Sequence, residues 1–213
     1  MNPDPDSNSA IDLMALQAQL TAQETVIAQL REQVASLTRH DALTGVMNRA
    51  TLIEMLETEL VRSHRTGHPF CFAMVDLDRF EAVNTAQGMS VGDAVLKNFA
   101  NAATGLLRAL DRFGRLNGGT FGIVLPATWL DSGVIAMNRL RAAVAASDWA
   151  AISPHLNVTF SAGLTTNATA DTAERILQRA EKGLLQAKAQ GRDRSVTIEQ
   201  VLPDGSCLSS FTP

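Results

Sequence analysis

Cysteine, basic charge and long apolar runs are all scarce in this chain of 213 residues. Its two cysteines, Cys71 and Cys207, lie far apart, one in an apolar run and the other in a polar tail. That spacing suits neither a disulfide framework nor a thiolate metal site, and it makes a reducing compartment the default. Lysine and arginine number 18 against 22 aspartates and glutamates, a formal net charge of −4. Mild acidity argues against a general nucleic-acid binder, which would show a basic stripe, so no nucleic-acid partner is expected. No apolar run approaches the roughly 20 residues that span a bilayer. Residues 1–10 are polar and acidic, lack the basic start and apolar stretch of a secretory leader, and read as a disordered N-terminus. These absences predict a cytoplasmic protein with no membrane partner of its own.

Hydrophobic residues make up 46% of the chain, enough for a core, and the length fits one globular domain with an extension. The extension comes first. Leu13, Leu20, Ile27 and Val34 recur every seven residues, and Leu16, Gln23, Leu30 and Leu37 interleave with them. This is a heptad seam with one polar d position, Gln23, and it contains neither Gly nor Pro. A single amphipathic helix folded back on its own domain would show a wider apolar face. The spacing therefore predicts a coiled-coil helix over residues 11–40 and a homodimer through residues 13–37. Ile27 and Val34 at a, with Leu at most d positions, favour parallel strands.

The heptads stop at a turn, His40-Asp41-Ala42-Leu43-Thr44-Gly45, where the domain boundary is placed. A helix follows from Asn48 to about His64, closed by Gly67-His68-Pro69. Phe70 to Leu77 reads as a buried strand, residues 78–90 as a loop, and Val91 to Leu110 as a helix. Arg112 to Leu116 and Thr120 to Leu125 read as two strands around Asn117-Gly118-Gly119, a strong short hairpin signal. Then come a helix from Asp131 to Ser147, a strand from Leu156 to Leu164, a helix from Thr172 to Gln190 stopped by Gly191, and a strand from Val196 to Val201. The order β-α-β-β-α-β, then α-β, predicts an α/β (α+β) domain over residues 41–201 with a split-βαβ sheet. Residues 202–213 are polar and Ser-rich and read as a flexible tail.

Asp76 and Asp78 stand at the end of the apolar strand. Two positions apart, they point the same way, and two carboxylates leaving a core strand together suit Mg²⁺, a hard cation that takes oxygen ligands. The alternative is a strand-ending turn with solvated acids. The surrounding residues run Asp76-Leu77-Asp78-Arg79-Phe80-Glu81-Ala82-Val83-Asn84, then Gly88, then Gly92-Asp93. This resembles the D-x-D-x-F-K-x-x-N-D-x-x-G-H-x-x-G-D run of the GGDEF (diguanylate cyclase) family. Upstream, Asp41-Ala42-Leu43-Thr44-Gly45-Val46-Met47-Asn48-Arg49 is similar to the family's opening D-x-L-T-G-L-x-N-R. Downstream, Ala187-Lys188 and Gly191-Arg192 match its closing A-K-x-x-G-R. The likeness covers nearly everything from Asp41 to about Val196.

The resemblance implies a nucleotide-cyclase, palm-like fold and the condensation of two GTP molecules into cyclic di-GMP across a dimer, assisted by metal ions. It implies that Asp76 and the Leu77 carbonyl, with Asp78, ligate metal. It further implies that Asn84 and Asp93 bind the guanine edge, while Lys188 and Arg192 reach the phosphates. Asn84 also reads as a turn residue, Asp93 as a helix cap, and Lys188 and Arg192 as the cationic end of a helix.

The loop that names the family departs from the pattern. Arg115-Leu116 are followed by Asn117-Gly118-Gly119-Thr120-Phe121, so Gly119 and Thr120 stand where the family has two acids. Glu81 replaces a lysine, Thr85 an aspartate and Met89 a histidine. Glu181 and Leu185 replace an aspartate and a tyrosine, and the chain has no tyrosine at all. Loss of a catalytic carboxylate costs orders of magnitude in rate, so a catalytically impaired cyclase is expected. What survives is Arg108-Ala109-Leu110-Asp111, which matches the family's R-x-x-D product site, and Arg139, placed where the family often has a further arginine for it. An arginine fork can both stack on a base and hydrogen-bond to it. The resemblance thus implies a cyclic di-GMP receptor at Arg108, Asp111 and Arg139. The alternatives are a weak cyclase, or a scaffold that binds GTP or nothing and pairs with another signalling protein.

Overall fold

The run from Phe70 to Leu77, apolar but for Asp76, owes its composition to burial on both sides. In a computed structural model, which describes residues 19–21, 23, 24, 26 and 38–199, strand β1 (Phe70–Leu77) is central to a five-stranded sheet. With β2 (Arg112–Asn117), β3 (Thr120–Pro126), β4 (Phe160–Thr166) and β5 (Ser195–Thr197), the order is β2-β3-β1-β4-β5. β1 pairs antiparallel with β3 and β4, β2 antiparallel with β3, and β4 parallel with β5. Helices α1 (Arg49–Thr66), α2 (Phe80–Gln87), α3 (Met89–Thr104), α4 (Leu130–Ala146) and α5 (Ala173–Ala189) complete the domain.

Alternation along β1 divides the core in two. Cys71, Ala73, Val75 and Leu77 pack with Val95, Leu96 and Phe99 of α3 and Met137, Leu140 and Val144 of α4. Phe70, Phe72 and Met74 pack with Leu52, Leu56 and Leu60 of α1 and Ile176, Ala180 and Leu184 of α5. Two positions let helices approach closely. A Cβ on Gly163 of β4 would overlap the Ala180 carbonyl and the Leu184 amide of α5, so only glycine allows that helix to lie on the sheet. On the opposite face Gly133 of α4 leaves room for the Cys71 sulfur, and burial pushes the Cys71 thiol pKa up to about 12. At neutral pH that thiol stays protonated and unreactive.

Most predicted elements fall within two residues of their observed bounds, and β1 coincides. Asn48 caps α1 by accepting from the Thr51 amide at 2.9 Å, and Gly67, at φ 72°, closes it. Four segments differ. The predicted loop 78–90 contains helix α2, none of whose residues is fully buried. The predicted helix to Leu110 ends at Thr104: the Leu106 and Leu107 amides turn back onto the Ala103 carbonyl, and the Arg108 amide then donates to the Asp111 carboxylate at 2.7 Å. Strand β4 starts four residues later than predicted, and among the described residues β5 spans Ser195–Thr197.

The chain divides into two units, Met1–Arg39 and His40–Pro213. Of the heptad seam only Leu20 and Gln23 are described, both helical and exposed. The remaining seam residues, the N-terminus 1–10 and the tail 202–213 lie outside the described residues.

The turn that opens the second unit is locked by Asp41. Its carboxylate accepts from the Thr44 amide at 2.9 Å and hydroxyl at 2.6 Å, and it pairs with Arg115 at 3.3 Å. Burial pushes its pKa up, but the Thr44 hydrogen bonds and the Arg115 charge outweigh that and hold it below the ordinary 3.8. A depressed folded-state pKa adds stability that is complete above the unfolded value and is lost as pH falls below it. Asp41→Asn is therefore expected to cost about 1 kcal/mol at neutral pH. Urea titrations should show that gap to wild type shrinking below about pH 4. A gap constant from pH 7 to pH 3 would contradict the assignment.

Candidate functional site

Strand β1 ends in two acids, but their surroundings separate them. Asp76 sits opposite Thr120 in the register of β1 and β3. The Thr120 hydroxyl donates to Asp76 Oδ1 at 2.6 Å, and Lys188 Nζ, from the last turn of α5, pairs with Asp76 Oδ2 at 2.6 Å. Both carboxylate oxygens are thus engaged, one by a neutral hydroxyl and one by an ammonium. The pair is partly shielded, with the side chains 18% and 33% exposed, where a charge-assisted hydrogen bond is at its stronger end.

Asp78 is turned elsewhere. It accepts from the Ser161 hydroxyl at 2.6 Å, the Thr159 hydroxyl at 2.8 Å and the Asp193 amide at 3.1 Å. Those bonds fasten the end of β1 to β4 and to the segment after α5. Asp78 lines a separate hollow with Asn157 and Gly191, away from Asp76. The two-carboxylate Mg²⁺ site expected at the strand end is not presented as a pair.

The hairpin tip completes the cleft around Asp76. Asn117 pairs with Thr120 across Gly118-Gly119, and Gly118 takes φ 44°, a left-handed conformation that glycine adopts without strain. Arg115 Nε donates to the Gly118 carbonyl at 2.9 Å, and the Leu77 amide donates to the Gly119 carbonyl at 3.1 Å. Gly119 lies against Phe80, whose ring would be 3.1 Å from an added Cβ. Phe121 points the other way, fully buried, with its ring 4.9 Å from Phe99 and 5.4 Å from Phe113. It anchors the hairpin in the core and has no place in the cleft.

This cleft, of about 410 Å³, is lined by Asp76, Leu77, Asn84, Lys188 and Arg192 together with the hairpin residues 117–120. Asn84 Oδ1 is buried and has no hydrogen-bond partner among the described residues. A Cβ on Gly92 would overlap that oxygen, so α2 and α3 meet there side chain to backbone. Asp93, next in the chain, is half-buried in the first turns of α3 and is not among the residues lining the cleft. Arg79, which the sequence reading passed over, also lines the cleft. Its φ of 56° turns the chain from β1 into α2, and nothing in its sequence neighbours announces that conformation.

The donor set does not fit the metal ions that the resemblance implies. Two carboxylates line the cleft, Asp76, already paired with a cation, and Glu81, exposed on α2. Among the described residues no group of three or more His, Cys, Asp or Glu is placed to hold a metal ion. A divalent cation would have to displace the Lys188 ammonium to reach Asp76.

A second cavity, of about 130 Å³, is walled by Arg108, Asp111 and Arg139 over a floor that includes Leu107, Met137 and Leu140. The Asp111 carboxylate accepts from the Arg108 amide, and the Asp111 amide donates to the Arg108 carbonyl at 3.0 Å, so the R-x-x-D segment is a closed turn. Both arginine side chains are left exposed at the rim.

The sheet order, the two helical layers and a cleft at the end of the central strand define a nucleotide-cyclase, palm-like domain. The family model described as diguanylate cyclase, GGDEF domain, matches residues 38–194. The chain belongs to this GGDEF family. Diguanylate cyclase DgcP of Pseudomonas aeruginosa is 41% identical over 154 residues, covering 72% of this chain and 23% of that protein. Response regulator PleD of Caulobacter vibrioides is 35% identical over 159 residues, covering 73% of this chain and 35% of that protein. The chain thus spans about a quarter to a third of the length of these relatives. Among solved structures, diguanylate cyclase SiaD of Pseudomonas aeruginosa, in complex with its activator SiaC, superposes with a TM-score of 0.69 at 31% identity. That match covers 92% of this chain and 75% of SiaD.

If the altered tip is what denies the cleft a metal, restoring its acids should supply one. Gly119→Asp combined with Thr120→Glu is expected to bind Mn²⁺ or Mg²⁺ at least about tenfold more tightly than wild type in calorimetric titrations. Equal affinity in the two proteins would contradict the reading of the donor set.

Proposed function

We propose that this chain is a GGDEF domain without effective cyclase chemistry that acts as a receptor for cyclic di-GMP at Arg108, Asp111 and Arg139. The observation that carries the receptor reading is the convergence of those three side chains on one small cavity with an apolar floor. Guanine offers N–H donors to the Asp111 carboxylate and acceptors to the arginine forks, and its faces suit an apolar floor. The loss of cyclase chemistry is supported by Asp76, whose oxygens are held by Thr120 and Lys188 instead of being offered to cations.

A second reading, that the cleft retains a guanine nucleotide, is favoured by the unpartnered Asn84 Oδ1, to which a guanine N–H could donate. In that reading Asp93 takes a further guanine hydrogen, while Lys188 and Arg192 meet phosphates. Asp76, the Leu77 carbonyl and Asp78 would hold Mg²⁺ only after Lys188 had moved onto a phosphate. An active cyclase, making cyclic di-GMP from two GTP, needs that rearrangement and the missing acids as well.

The unit 1–39 is proposed to bring two copies together in a parallel coiled coil through residues 13–37, with the domain spanning 41–201. SiaD, the similar cyclase solved with an activator, supports a protein partner for this chain too. Among the described residues no helix is long and apolar enough to cross a membrane, which accords with a cytoplasmic site of action.

Isothermal titration of the full chain with cyclic di-GMP tests the receptor reading. Binding at about 10 µM or tighter is expected, weakened at least about tenfold by Arg108→Ala. Absence of binding, or binding untouched by that substitution, would dismiss it.

A further inference from the structure

Trp129 is 64% exposed, an unusual setting for so large an apolar ring. It lies between β3 and α4, and its backbone is closely fixed. Ala127 takes φ 48°, the Thr128 hydroxyl donates to the Pro126 carbonyl at 2.9 Å, and the Gly133 amide donates to the Trp129 carbonyl at 2.9 Å. The ring is therefore presented from a defined position, at the N-terminal end of the helix that carries Arg139. Trp129 lines the R-x-x-D cavity with Arg108, Asp111 and Arg139. It also lines a wide groove of about 640 Å³ beside His64, Asn167 and Thr169. It is the wall that the cavity and the groove share.

We infer that Trp129 is a stacking platform for a guanine base of the dinucleotide held at Arg108, Asp111 and Arg139, an inference that rests on the receptor reading above. The cavity, at about 130 Å³, is small beside a cyclic dinucleotide, so much of such a ligand must lie outside it. An indole at the mouth offers a flat apolar face to a base, and a base covers apolar surface that the free protein leaves in water. The arginines and Asp111 read the base edges, and the indole fixes the plane in which those edges lie. Trp129 thus selects for a planar base as well as for charge, and a phosphate-only ligand would gain nothing from it.

The chain's own fluorescence reports the contact. The only other tryptophan, Trp149, is 4% exposed, and its indole N–H donates to the Val144 carbonyl at 2.7 Å. A change in emission on adding ligand therefore belongs to Trp129. Titrating the full chain with cyclic di-GMP should quench that emission along the same saturation curve that calorimetry gives. Trp129→Ala should weaken binding about tenfold, and Trp129→Phe should retain most of the affinity, because stacking needs a ring more than it needs indole. Trp129 is exposed, so both variants should melt within a few degrees of wild type, which separates lost binding from lost fold. Inorganic pyrophosphate, the control without a base, should leave emission unchanged. Calorimetric binding with unaltered emission, or with equal affinity in Trp129→Ala, overturns the inference and leaves the receptor reading standing. Absence of cyclic di-GMP binding to the wild type overturns both.

Discussion

A carboxylate at the end of a central strand has two oxygens to offer, and in this chain a hydroxyl and an ammonium hold them. The Thr120 hydroxyl and Lys188 Nζ each lie 2.6 Å from Asp76. One partner comes from the hairpin β2–β3 and the other from the end of α5, so this acid ties both walls of the cleft to the sheet. The arrangement is electrostatically closed, since one negative charge meets one positive charge and a neutral donor. A carboxylate at position 120 in place of the hydroxyl would set two anions face to face. A cation between them or a shared proton would relieve that repulsion. With threonine there, Lys188 suffices.

The same sheet sets the cleft and the R-x-x-D cavity apart along helix α3. Asp93 lies near the N-terminal end of that helix, where Gly92 meets Asn84, while Arg108 and Asp111 follow its C-terminal end at Thr104. Between them α3 buries Val95, Leu96 and Phe99 against the sheet, and Phe99 stacks near Phe113, Phe121 and Phe160. Phe121 is the last residue of the altered hairpin tip. The aromatic cluster anchors the end of that tip in the core.

What was legible in the sequence was what depends on short range. The short apolar run Phe70 to Leu77 read as a strand, and β1 has those bounds. Asn48 and Gly67 marked the ends of α1, and the glycines at 118 and 119 marked a hairpin. Helix α2 was missed because it is only eight residues long, with Phe80 and Val83 as a short, partly buried stripe, and because it begins at Arg79 in a left-handed conformation. Helix α3 was read as too long because Leu106, Leu107 and Leu110 continue its apolar pattern, although the first two turn back onto the Ala103 carbonyl and Leu110 lies in the turn closed by Asp111. Period-two alternation put Asp76 and Asp78 on one side of the strand, but β1 ends at Leu77 and Asp78, beyond it, turns into a different hollow. It could not reveal that Ser161 and Thr159, more than 80 residues away, would claim Asp78. Nor could it show Lys188 reaching Asp76, which depends on α5 settling onto the sheet at Gly163.

The central claim is that this tip and this ion pair leave the cleft without the charge that joining two GTP molecules demands. Its most direct test is to incubate the full chain with GTP and Mg²⁺ or Mn²⁺ and search by chromatography for cyclic di-GMP and diphosphate. The account predicts no product above a protein-free blank. Product that accumulates with wild type and disappears with Asp76→Ala would contradict it.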